Sequence, residues 1–200
     1  MPPEVGAKPT FPARHRTLKD PRLSFLLLGI AAGLLVYYST VWGPWAFSDA
    51  AGYLTAARNL IAGYGIGGFD PAGRFSPLVS HPPLYVLALG GVGLLGPGPL
   101  EAARFLDVVL FAVLIGTSGL LLSRMLRSLR TGLALSGLLL VHPALLIAYT
   151  SAMAEPPFIL LGTLSLLFLA QYLLHPRPAG FAAAALCASG AMLARYSGAA

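Results

Sequence analysis

The chain has 200 residues, of which 56% are hydrophobic and 10% charged; soluble domains average roughly 25% charged, so the composition excludes a soluble globular protein and indicates about one membrane-embedded domain. The net charge of +6 does not mark a nucleic-acid binder, because the basic residues stand beside apolar runs, as in a chain oriented by the positive-inside rule. A single cysteine, Cys187, lies within an apolar run and excludes an internal disulfide framework.

Residues 1–22 contain Lys8, Arg14, Arg16, Lys19 and Arg22 and several prolines, and are expected to form a disordered cytoplasmic tail. Leu23–Val41 is the first predicted span, close to the ~20 residues a helix needs to cross the hydrocarbon core. Trp42-Gly43-Pro44-Trp45 is a poor cleavage site, so a retained signal anchor is expected. Tyr37, Tyr38, Trp42 and Trp45 mark its far end as an aromatic belt.

Residues 42–99 are read as an extracytoplasmic loop. Ser48 can cap a short helix, with Asp49 at its positive end. Tyr53, Leu54, Ala57, Leu60 and Ile61 share one helix face and Gly63 ends it, which suits a helix lying on the membrane surface. An irregular loop is expected over Gly65, Gly67, Gly68, Pro71 and Gly73. Pro82–Gly96 is apolar but short and rich in glycine. If it does not cross, Arg124, Arg127 and Arg130 join the tail and Arg177 on the inner side, which places nine of the 13 basic residues there; the non-crossing topology is therefore preferred.

The later predicted spans are Leu100–Leu122, Leu133–Tyr149, Pro157–Leu174 and Ala179–Arg195, with a break expected at His142-Pro143. The expectation is an all-α, polytopic transmembrane bundle of about five spans, multi-pass in the cell membrane with a cytoplasmic N-terminus. The chain ends inside an apolar segment, so it is expected to be the front part of a longer protein.

Few carboxylates are present, and each has a structural role to weigh against a functional one. Asp49 and Glu155 both sit in the first turns of helices, where a negative charge is favourable in itself. A carboxylate at the mouth of a membrane bundle is nonetheless costly unless paired or used. Asp70, before Pro71, reads as a turn residue. Glu101, Arg104 and Asp107 share a helix face and are expected to pair, or else to hold an arginine towards a phosphate. His81-Pro82-Pro83 stiffens the chain where it re-enters the membrane, and Arg195 is either an interfacial anchor or a phosphate ligand. No Cys/His spacing suggests a metal site. In the preferred orientation Asp49, His81, Arg104, Glu155 and Arg195 converge on one membrane face. Carboxylates near an acceptor hydroxyl and cations near a lipid phosphate suit transfer from a lipid-phosphate donor.

The series S-D-A-A-x-Y-L-x-A-A-R-N-L-x-x-G-x-G at 48–65, H-P-P-L-Y at 81–85, G-P-x-P-L-E-A-A-R-F-L at 96–106, L-L-S-R-M-L-R at 121–127 and S-A-M-A-E-P-P-F at 151–158 resembles the N-terminal third of bacterial GT-C glycosyltransferases, in particular the protein O-mannosyltransferase and aminoarabinose transferase families. The resemblance covers nearly all of 23–198 and rests on the order of motifs. It implies an active site outside the membrane that moves a sugar from a polyprenyl-phosphate carrier to a lipid, protein or glycan acceptor. It further implies Asp49 as catalytic base, Glu155 as a second active-site acid, Arg104 facing donor phosphate, and His81, Pro82 and Pro83 on a re-entrant or juxtamembrane helix. Residues 23–200 would then be the N-terminal portion of such a transmembrane domain. Arg195 is a further phosphate-binding candidate from its position alone; no cofactor is predicted, and a divalent metal is neither indicated nor excluded. The chain departs from the family at Tyr149-Thr150-Ser151-Ala152-Met153-Ala154, where an arginine often precedes the second acid. The rival readings are a transporter or permease subunit and a non-catalytic membrane scaffold.

Overall fold

A computed structural model describes residues 21–196 of the chain; the expected tail over residues 1–22 falls almost wholly outside them. Among the described residues the fold is a bundle of eight helices with one small hairpin. In order these are α1 (Pro21–Ser39), α2 (Ser48–Ile61), β1 (Gly67–Phe69), β2 (Phe75–Pro77), α3 (Pro83–Gly93), α4 (Pro99–Met125), α5 (Leu129–Leu140), α6 (Pro143–Tyr149), α7 (Glu155–Leu174) and α8 (Pro178–Ala194). Proline stands in the opening turn of α3, α4, α6, α7 and α8, where its missing N–H and preset φ favour a helix start.

Three helices, α1, α4 and α7, are long and apolar enough to cross a membrane, and a fourth span results if α5 and α6 count as one. The all-helical membrane architecture was legible in the sequence; the count of about five spans is not reached. The expected Leu133–Tyr149 span is broken at Val141-His142, where the axes of α5 and α6 diverge by 63°. The cause is Pro143, which can open a helix but not continue one. The expected Ala179–Arg195 span is α8, whose 17 residues leave it among the shorter apolar helices. Helix α3 has 11 residues, a rise of about 16 Å, well short of the ~30 Å hydrocarbon core.

Helices α1 and α4 form the most extensive pair and run antiparallel: Gly29 faces Ala112, Gly33 faces Val108, and Gly116 faces the Phe25 carbonyl. Small residues on both helices let the backbones approach, the usual basis of tight helix association in lipid. Phe25 fills the space left by Gly119 and Gly132, tying α5 to the same seam.

At the opposite end of the bundle a separate apolar cluster joins α2, α3, the start of α4 and the α6–α7 connection through Ala50, Tyr53, Tyr85, Leu89, Ala103 and Ala152. The periodic apolar face expected on α2 is what it buries here. Gly90 and Gly93 of α3 accept the side chains of Leu60 and Ile61, so α2 is held against α3 by close packing.

The glycine-rich stretch expected to be irregular contains the antiparallel β1–β2 hairpin, in register from Gly67 opposite Pro77 to Phe69 opposite Phe75. Asp70 closes it: Oδ1 accepts from the Ala72 and Arg74 amides, both at 2.9 Å, and Oδ2 accepts from Arg74 Nε at 2.9 Å. Its expected turn role therefore holds. Gly67 has no room for a side chain against Ser76 and the Phe75 ring.

Candidate functional site

The connections at the α2–α3 end are stapled across the bundle. The Trp45 amide donates to the Thr150 carbonyl at 2.8 Å, and the Ala152 amide donates back to the Trp45 carbonyl at 2.7 Å. This parallel bridge holds the segment entering α2 beside the segment entering α7. The first turns of both helices, with Asp49 and Glu155, are thereby set at the same end of the molecule.

A cleft of about 310 Å³ opens there, lined by Asp49, Tyr53, His81, Glu155, Arg195 and Tyr196, with Ser80, Pro82, Met153 and Ala154 completing its walls. Its volume lies at the low end of the roughly 300–1,000 Å³ typical of ligand pockets. Asp49 lies in the first turn of α2; that helix begins after Phe47, which supplies no side-chain cap, and the cap expected from Ser48 lies outside the described side chains. The Arg195 guanidinium forms an ion pair with Glu155, joining the end of α8 to the start of α7. The two side chains are 44% and 25% exposed, so the pair faces the cleft and not a dry core.

His81 is fixed from two sides. Its Nδ1 shares a hydrogen bond of 2.7 Å with Ser80 Oγ, and its ring stands edge-on to Tyr53 with centroids 4.7 Å apart. Gly52 leaves open the space beside the far edge of the imidazole, within 3.8 Å of a Cβ there. Pro82 and Pro83 then start α3 with an extended N-cap, which fixes the direction in which the chain leaves the cleft. Tyr196 Oη donates to the Val79 carbonyl at 3.3 Å, closing the wall.

Tyr53 was missed as a site residue, because its helical spacing with Ala57 and Leu60 reads as core. It belongs to both. The residue is 5% exposed, packs edge-on against Tyr85, and reaches the cleft. Burial, followed by the negative charges of Glu155 and Asp49, pushes its phenol up from 10.0 to about 12. A phenol held protonated beside two carboxylates is a hydrogen-bond donor.

Two expectations about α4 are corrected. Arg104 does not line the cleft. Its guanidinium lies over the Tyr37 ring, 4.2 Å from the centroid, and donates to the Tyr37 carbonyl at 3.0 Å and to Thr40 Oγ1 at 3.3 Å. It clamps the end of α1 to α4. The expected Glu101–Arg104–Asp107 pairing also fails: Asp107 is fully buried, and neither carboxylate oxygen has a hydrogen-bond partner among the described residues. Helical spacing put these groups on one face, but α1 offered Arg104 a carbonyl, a hydroxyl and a ring at once. Asp107 and the similarly unpartnered Tyr85 hydroxyl sit behind the cleft rather than in its lining.

Among the described residues no three His, Cys, Asp or Glu side chains come together as a metal-holding group. Chemically, the cleft offers two carboxylates, one imidazole, one arginine and two phenols at the rim of an apolar bundle. Comparison of the chain with known protein families, with curated proteins and with solved structures gives no match in any of the three.

Proposed function

We propose that the protein is a membrane-embedded glycosyltransferase of the GT-C type, which moves a sugar from a polyprenyl-phosphate donor to an acceptor hydroxyl on a lipid, protein or glycan. The observation that carries this proposal is the meeting of Asp49, His81, Glu155 and Arg195 in one cleft at one end of the bundle, where residues from four separate segments supply both acid–base and anion-binding groups. The resemblance in motif order assigns a catalytic role to two of the same residues, Asp49 and Glu155.

In the proposed reaction the Asp49 carboxylate accepts the proton of the acceptor hydroxyl. The oxygen attacks the anomeric carbon, and the bond from that carbon to the phosphate oxygen breaks with inversion. The leaving polyprenyl phosphate takes both electrons of that bond and is stabilised by the Arg195 guanidinium, which Glu155 holds in place. General-base assistance of this kind contributes typically 10²–10⁴-fold. Tyr53 donates a hydrogen bond to sugar or phosphate, and His81 with Pro82 and Pro83 shapes the wall. Arg104, occupied by α1, is left a structural role. The bilayer delivers the donor, and the cleft faces the extracytoplasmic side of the cell membrane.

The test is transfer from a radiolabelled polyprenyl-phosphate sugar in membranes containing the complete protein. Asp49→Asn is expected to lower transfer at least 10²-fold with unchanged membrane expression. Retained transfer would reject Asp49 as the base. A transporter would place its broken helix at the substrate site; neither His142 nor Pro143 at the α5–α6 break lines this cleft, which favours reading the cleft as a transferase site.

A further inference from the structure

A second hollow, of about 430 Å³, lies beside the cleft on the β1–β2 hairpin, lined by Phe69, Asp70, Ser76, Pro77, Val79 and Ser80 among others. Ser80 also lines the cleft, so the two cavities adjoin at this residue, whose Oγ is bonded to the His81 ring. The Val79 carbonyl accepts from Tyr196 Oη, which fixes the strip of chain between them.

The walls combine an aromatic ring with polar groups. Phe69 is 48% exposed and is held between Tyr64 and Phe75, with ring centroids at 5.3 and 5.5 Å and steep interplanar angles. Its orientation is set before anything binds, which spares a ligand the cost of ordering it. Three hydrogen bonds occupy the Asp70 carboxylate, only one of them on Oδ2; a carboxylate has roughly four acceptor positions, so Oδ2 keeps one for a ligand hydroxyl. Ser76 is exposed on β2, and its hydroxyl can donate or accept. The Arg74 side chain paired with Asp70 is 82% exposed, and charges at the hairpin tip make burial of the hairpin in hydrocarbon costly. The hollow therefore suits a ligand in water that carries both hydroxyls and an apolar face. A sugar ring has this chemistry: its polarised C–H groups are attracted to the negative face of an aromatic ring, and its hydroxyls pair with carboxylate and serine oxygens.

We propose that this hollow is the acceptor subsite of the cleft and that the acceptor is a glycan, with one sugar unit stacked on Phe69 and hydrogen-bonded to Asp70 and Ser76 while the next unit passes Ser80 into the cleft. This rests on the sugar-transfer reading for the role of the site, and selects a glycan over a lipid or a protein as the acceptor.

The test places the full chain in phosphatidylcholine nanodiscs and titrates it, with no sugar donor present, on an array of immobilised neutral oligosaccharides. Retention on a subset of them is expected. Phe69→Ala is expected to weaken it about tenfold, the scale of one lost aromatic contact, and Phe69→Tyr to restore it. Ser76→Trp, which fills the hollow from the exposed strand β2, is expected to abolish retention, with unchanged far-ultraviolet circular dichroism confirming folding. No retention on any glycan, or retention that survives both Phe69→Ala and Ser76→Trp, would overturn the proposal. Retention on unglycosylated peptides instead would assign the hollow to a protein acceptor. In a Cys187→Ser background, a spin label at Ser76→Cys is expected to be relaxed by aqueous nickel; relaxation by oxygen dissolved in the lipid would place the hollow in the bilayer and overturn the proposal. Because binding is read without donor, the two readings fail separately: glycan retention with no transfer by the complete protein would reject the transferase and leave a glycan-binding hollow, whereas transfer with no glycan retention would reject the hollow alone.

Discussion

Gly29→Ala probes the α1–α4 crossing on which the bundle depends. An ideal Cβ at residue 29 would stand 2.7 Å from the Ala112 carbonyl oxygen, a backbone atom that cannot rotate away. Carbon and carbonyl oxygen keep about 3.3–3.6 Å even in the closest helix contacts, so the helices must part by roughly 0.6–0.9 Å. A gap of that size forfeits about a quarter to a half of each dispersion contact at the crossing, and overpacking of this kind costs about 1–3 kcal/mol. Alanine recovers about 1 kcal/mol of helix propensity. Gly137 on α5, where a Cβ meets nothing within 4 Å, isolates the propensity gain alone. Gly29→Ala is therefore expected to be less stable than Gly137→Ala by about 1–3 kcal/mol, or about 5- to 150-fold in the unfolding equilibrium. Gly33→Ala, with its nearest backbone oxygen at 3.2 Å, falls between them. Reversible unfolding in mixed micelles, with increasing dodecyl sulfate and read by circular dichroism, measures the series. Equal stability of the Gly29 and Gly137 variants would refute the tight crossing.

Three further expectations concern the cleft end. The Arg74 amide, foremost, and then the Arg74 guanidinium and Ala72 amide hold the Asp70 carboxyl below its usual 3.8; the folded turn thus binds a proton less readily than the unfolded chain. Its contribution is present above pH about 4 and lost as pH falls through the lower folded value, so the protection of the Arg74 amide, its exchange rate relative to an unfolded peptide at the same pH, is expected to fall in acid, and unchanged protection would contradict the turn geometry. For Tyr53 the sign is opposite: raised to about 12, the folded phenol keeps a proton that the unfolded chain gives up near pH 10. Stability is expected to fall as pH rises through that window, and Tyr53→Phe to remove the component near 12 from an ultraviolet titration; loss of a component near 10 instead would place Tyr53 in water. Finally, in a Cys187→Ser background, Ala72→Cys at the hairpin turn and Arg130→Cys in the first turn of α5 occupy exposed positions at opposite ends of the bundle. An impermeant maleimide on intact cells is expected to label residue 72 and not 130; the reverse would put the cleft on the inner side and reject an extracytoplasmic transferase.

Much of the candidate site was visible before folding. Asp49 and Glu155 stand out because carboxylates are rare here and both open a helix, and His81 because two prolines follow it. Tyr53 was not visible as a site residue, since a tyrosine in an i, i+3, i+4 series gives the same pattern whether its hydroxyl meets core or cleft. The β1–β2 hairpin was hidden by strands of three residues each, too short for a period-two pattern to emerge among glycines. Arg104 and Asp107 were misjudged because spacing along one helix says nothing about what a neighbouring helix offers.

The sequence by itself determined the membrane class, the all-helical architecture, the positions of most helix starts and the residues able to carry charge. Those properties are local: they follow from apolar run length, from proline's fixed φ and missing N–H, and from the cost of unsatisfied backbone in lipid. Only the tertiary structure decided which helices reach spanning length, how far α5 and α6 diverge at the break expected at His142-Pro143, and that Arg104 clasps Tyr37 and Thr40. It also decided that Trp45 bridges to Thr150 and Ala152 so that Asp49, His81, Glu155 and Arg195 share one cleft. These depend on packing and hydrogen bonding between segments up to about a hundred residues or more apart, whose energies come from shape and distance in three dimensions and leave no periodic trace along the chain.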